Sequence, residues 1–187
     1  PPRHVTVRPI FFAPEGASLH SAEQSARLAR HLAWARSRYT ELIGGRDSLA
    51  LDTATVVVQG RMPPAFYRGR PEDGVPEIVA ELLDHFRVSR FSCPWVLVVV
   101  VMNPRDDFPT GGGRPLNGGL GTGGGVVVLS SFALDRVPNV QSTLQHELGH
   151  AFGLPHADGY GRDMRTDPSL MSYDPAHHTD GFRDAAT

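Results

Sequence analysis

His146-Glu147-Leu148-Gly149-His150-Ala151-Phe152-Gly153-Leu154-Pro155-His156 is the stretch from which the rest of the chain can be read. From Pro138-Asn139 onward, Val140, Leu144, Leu148, Ala151 and Phe152 recur at three- and four-residue steps, so the stretch begins inside an amphipathic helix. One helical turn separates His146 from His150, which puts both imidazoles on one face where they can bind one zinc. Glu147 lies between them in sequence, close enough to reach a water at the metal without being a ligand. Two histidines leave a catalytic zinc short of its usual three protein ligands. Gly153 can take the positive φ that ends a helix, and His156, three residues later, can fold back as the third ligand. With nine His and twenty Gly among 187 residues, the full pattern has a chance expectation on the order of 10⁻⁴.

Working outward, Val5–Phe12 is rich in β-branched and aromatic residues and stops at Pro14, which predicts a first strand. Ser21 and Gln24 form a capping box. The helix it opens carries Leu28, Leu32, Ala35, Tyr39, Leu42 and Ile43 on one stripe and ends at Gly44-Gly45. Thr53–Val58 predicts a second strand. Pro76 then starts a second amphipathic helix marked by Ile78, Val79, Leu82, Leu83 and Phe86. Val96–Met102, apolar at consecutive positions, predicts a third strand covered on both faces, and Val126–Leu129 a short fourth. This order predicts an α/β (α+β) fold: a twisted, mostly parallel sheet with backing helices and the histidine-bearing helix. From Pro155 onward the periodicity stops, so an irregular lower part is expected. The whole is read as one catalytic domain over 1–187, with an upper part of about 1–153 and a lower part of about 154–187.

Composition narrows the chemistry. All 18 basic residues are Arg, set against 20 acidic ones for a net charge of −2. Without Lys there is no Schiff-base nucleophile, pyridoxal-phosphate anchor or phosphate-binding P-loop. The single Cys93 excludes intrachain disulfides and four-Cys metal sites; it is read as a buried structural thiol. The near-neutral balance gives no footprint for nucleic acid, and no stretch approaches the ~20 apolar residues of a membrane span. Nine Gly crowd Gly111–Gly125. Gly119, Gly121 and Gly124 satisfy G-x-G-x-x-G, but a β-branched run follows where a nucleotide-binding unit has a helix, so that reading is rejected. The segment is expected to be a surface loop or a mobile rim beside the active cleft.

The extended histidine motif, followed by Ser169-Leu170-Met171-Ser172-Tyr173, resembles the metzincin zinc endopeptidases, whose signature is this motif plus a Met-turn. The resemblance implies a Zn²⁺ held by His146, His150 and His156, with Met171 as the hydrophobic base beneath it. Tyr173, two residues after the Met, is similar to the serralysin and astacin arrangement, in which the phenol is a further zinc ligand that swings to assist the reaction. Ala157 after the third His matches none of the usual branches, and calcium repeats and a cysteine-switch motif are missing. The resemblance covers His146–Tyr173.

Together these readings predict hydrolysis of peptide bonds in protein substrates by a zinc-activated water, with Glu147 as general base and then acid. Tyr173 is expected to stabilise the oxyanion. A substrate peptide is expected to pair with an edge strand near Val126–Leu129. Asp174, Pro175, Ala176 and His177, just past the Met-turn, are the candidate pocket residues. Asp158, Asp163 and Asp167 are candidate ligands of a structural Ca²⁺, with a solvated loop as the alternative; His177-His178 is read as exposed. A secreted, bacterial, monomeric enzyme is expected, with no signal segment in this chain. The competing readings are a non-catalytic zinc or protein-binding module of the same fold, and a zinc amidase acting on peptidoglycan or glycopeptide.

Overall fold

The computed structural model describes residues 5–42, 44–45, 49–67, 75–104, 108, 111–117, 124–135, 139–167 and 169–173. Ile43, Gly119, Gly121, Pro138 and 174–178, all singled out above, lie outside the described residues.

Strand β1 (Val5–Ala13) is the axis of the sheet. It pairs in parallel with β2 (Leu49–Leu51) and β3 (Val56–Gln59) on one side and with β4 (Trp95–Val101) on the other. Beyond β4 come β6 (Gly125–Ser130), again parallel, and β5 (Gly111–Pro115), antiparallel at the end of the order β2-β1-β4-β6-β5. Alternation along the strands feeds two cores. Val7, Phe11, Val96, Val98, Val100, Val127 and Leu129 meet α1 (Ala22–Leu42) and α4 (Asn139–Ala151). Ile10, Phe12, Leu97, Val99, Val126 and Val128 meet α2 (Pro76–His85). Double coverage is why β4 reads as an unbroken apolar run.

The helices follow their sequence signals. Ser21 Oγ accepts from the Gln24 N–H at 3.1 Å, and the Gln24 side chain accepts from the Ser21 N–H at 3.0 Å, so the capping box is formed. Leu28, Leu32, Ala35 and Tyr39 are buried, whereas Leu42, at the last position of the helix, is exposed. A short helix α3 (Ser131–Leu134), capped by Ser130, precedes α4. Cys93 is buried as expected, and burial pushes its thiol pKa up.

Two expectations require correction. The Thr53–Val58 strand starts later, at Val56, and Leu49–Leu51 forms a separate strand. The glycine-rich segment is not loop throughout, because Gly111–Pro115 is β5, the strand next to α4. Its glycines answer a packing need: a Cβ on Gly113 would run into the main chain of Glu147, and one on Gly125 into that of Ala151. Helix and sheet approach more closely there than a side chain permits. Gly113→Ala is therefore expected to cost about 3 kcal/mol of stability by overpacking, measurable by urea unfolding; a midpoint equal to the parent's would contradict the close approach.

Candidate metal centre

Helix α4 carries His146 and His150 one turn apart, and the chain leaves it at Gly153, whose φ of 88° is the left-handed turn the glycine was expected to supply. The Gly153 N–H donates to His150 O at 2.8 Å and the Leu154 N–H to Gly149 O at 2.9 Å, closing the helix end. This reversal brings His156 back over the helix. The Nε2 atoms of the three histidines lie 3.2 Å (His146 to His150), 2.9 Å (His150 to His156) and 3.2 Å (His146 to His156) apart. Ligands of a tetrahedral zinc at about 2.0–2.1 Å are separated by about 3.3 Å, so the three nitrogens fit that ion. Among the described residues this is the only His, Cys, Asp and Glu cluster suited to a metal.

Backbone carbonyls orient two of the rings. His146 Nδ1 lies 3.1 Å from Leu170 O and His150 Nδ1 2.8 Å from Leu154 O. A carbonyl can only accept, so the proton sits on Nδ1 and each Nε2 lone pair faces its neighbours. Burial pushes the His150 pKa below its ordinary value, aided by the adjacent His156 and opposed by the Leu154 carbonyl. A neutral imidazole is the form a metal requires. Nothing in the sequence pattern announced Leu154 and Leu170 as supports, because they act through main-chain atoms.

Met171 is buried beneath the helix. Its sulfur occupies the space a Cβ on Gly149 would need, and that same space lies 3.3 Å from the Tyr39 hydroxyl. The Tyr39 hydroxyl donates to Gln145 O at 2.8 Å, tying α1 to α4 one residue before His146. The glycine inside the motif thus lets two supports reach the back of the ligand-bearing turn. The Ala157 N–H donates to Met171 O at 3.0 Å, anchoring the chain after His156 to Met171.

Tyr173 is 53% exposed and its hydroxyl lies 3.0 Å from His156 Nε2, so the phenol reaches the metal-facing nitrogen. Glu147 is half-buried on α4. The carboxylates proposed for calcium do not converge among the described residues. Asp167 is engaged by the Ser169 N–H at 2.8 Å and by Arg162 Nη1 at 3.1 Å, and hydrogen bonding from Ser169 holds its pKa down. Asp163 accepts from the Arg165 N–H at 2.8 Å, a local turn, and Asp158 is exposed. These contacts give no support to a calcium site. Asp174, Pro175, Ala176 and His177 lie outside the described residues.

No protein-family model and no curated protein matches the chain. Solved structures do. A chaperone–substrate complex overlays 93% of this chain on 29% of its own at a TM-score of 0.52 and 10% identity, a likeness of fold. Metalloproteinase-II from Bacteroides fragilis overlays 91% of this chain on 48% of its own, with a TM-score of 0.47 and 14% identity. Archaemetzincin from Methanopyrus kandleri does so over 91% and 81%, at 0.42 and 18%. The chain spans less than half the length of the first two. No helix among the described residues is long and apolar enough to cross a membrane.

Proposed function

We propose that this chain is a zinc-dependent endopeptidase of metzincin type, acting on protein or peptide substrates as a single catalytic domain. One observation carries the reading: three imidazole nitrogens lie within 3.2 Å of one another, two of them on the helix that also bears Glu147 with their tautomers fixed by backbone carbonyls, and the third, from His156, returned by the turn at Gly153. A purely structural zinc site would close its fourth position with another protein ligand; among the described residues no fourth His, Cys, Asp or Glu joins the three, and the neighbouring group is the exposed Tyr173 phenol.

His146, His150 and His156 would hold the zinc, which would supply Lewis acidity to a water and to the scissile carbonyl. Glu147 takes the proton of the attacking water and delivers it to the leaving amine. The Tyr173 phenol donates a hydrogen bond to the oxyanion as it develops. Met171 and Tyr39 keep the ligand-bearing turn in place from behind. β5, last in the strand order, has one edge that no described strand occupies, and an extended peptide is proposed to pair there. The expectation for Val126–Leu129 fails because β6 is paired on both sides, with β4 and with β5.

A buried oxyanion donor is worth about 10²–10³-fold in turnover. Tyr173 is half exposed, which discounts that figure, so Tyr173→Phe is expected to lower kcat about tenfold with KM little changed. Steady-state kinetics on a cleaved peptide measures this, and an unchanged kcat would return Tyr173 to a packing role. Zinc content and peptide cleavage of the purified protein, each with and without a chelator, test the reading as a whole. The enzyme is proposed to act outside the cell as a monomer, which size-exclusion chromatography of culture supernatant would check.

A further inference from the structure

The open edge of β5 has a hydrogen-bonding phase that its register with β6 reveals. Its antiparallel pairs run from Gly111 opposite Leu129 to Pro115 opposite Gly125, and just beyond them the Leu116 N–H donates to Gly124 O at 2.9 Å. Hydrogen-bonded pairs alternate along such a ladder. Gly112 and Arg114, in phase with Leu116, therefore exchange bonds with β6. Gly111, Gly113 and Pro115 turn their main-chain groups to the edge that no described strand occupies. Gly113 offers both N–H and C=O there, and Pro115 only its C=O.

Side chains divide by face. Gly113 faces the main chain of Glu147, so its neighbour Arg114 stands on the opposite face of the sheet. Three of the five residues of β5 are glycine and one is proline. Arg114 is its one charged side chain. It is half-buried, its Nε is enclosed without a hydrogen-bond partner, and no carboxylate among the described residues pairs with it.

A peptide added antiparallel to β5 bonds to Gly111 and Gly113, which leaves Arg114 in a non-hydrogen-bonded pair, where opposing side chains sit closest, at about 4.5–5.5 Å between Cβ atoms. An apolar residue there strips water from the guanidinium and leaves the charge unpaired; a carboxylate satisfies it. We propose that Arg114 is a specificity-determining residue that selects substrates carrying Asp or Glu opposite it on the β5 edge. The proposal rests on the peptidase reading above.

Cleavage-site profiling of a peptide library by the zinc-loaded parent, Arg114→Gln and Arg114→Glu tests it. The parent is expected to favour an acidic residue at one fixed position relative to the cut on the order of tenfold. Arg114→Gln flattens that preference and Arg114→Glu turns it toward Arg and Lys, a reversal that lost packing cannot produce. Should Arg114→Glu fail to fold by circular dichroism, the flattening in Arg114→Gln decides. Cleavage by parent and variants with one unchanged profile overturns the Arg114 assignment and leaves the peptidase reading standing. No cleavage by the zinc-loaded parent overturns both.

Discussion

Glu147→Gln is expected to lower peptide turnover by about 10³–10⁴-fold, the upper range for loss of a positioned acid–base group, while one zinc stays bound per chain. The amide keeps the length and shape of the side chain and removes only its capacity to take a proton. Glu147 is half-buried in the middle of α4, between ligands whose rings are set by the Leu170 and Leu154 carbonyls. None of those contacts depends on its charge. Metal content measured beside kcat separates the chemical role from a structural one. Turnover within tenfold of the parent, with zinc in place, would remove Glu147 from the mechanism.

The second large effect is on metal binding. His156→Ala should weaken zinc affinity by about 10²–10³-fold, because roughly 10–16 kcal/mol of apparent binding at a four-ligand structural site is about 2.5–4 kcal/mol per ligand. His146 and His150 remain on α4, a two-ligand remnant that water competes with. The substitution falls after the helix ends at Gly153, in a half-buried residue whose following main chain is held by Met171 O, so the fold is expected to persist. Competition with a chromogenic chelator gives the affinity, and far-ultraviolet circular dichroism confirms the fold. An affinity equal to the parent's would place the metal away from His156.

Much of this architecture is legible in the sequence, for reasons that differ by element. The Leu28 to Tyr39 stripe and the Ser21/Gln24 box are local signals, and both are realised in α1. The spacing of His146, His150 and His156 around Gly153 is likewise local, since a helical turn and a left-handed exit fix where the rings go. Strand β5 was hidden because its glycines and proline carry no strand propensity. What makes it a strand is non-local: pairing with β6, and a helix so close that only glycine fits at position 113. Tyr39 is in sequence one more core position of the α1 stripe, and its hydroxyl's reach to Gln145 O, 106 residues away, has no sequence signature. The Asp158, Asp163 and Asp167 set reads in sequence either as a cation site or as a solvated loop, and the exposed side chain, the local turn and the ion pair found there give the cation reading no support.

The most direct test of the zinc-peptidase account is cleavage of a diverse peptide library by protein stripped of metal with a chelator, then titrated with zinc. The stripped protein is expected to cleave nothing, with recovery that rises linearly on zinc addition and levels off at one zinc per chain. Cleavage that persists without metal, or a fully loaded protein that cuts nothing in the library, would contradict it.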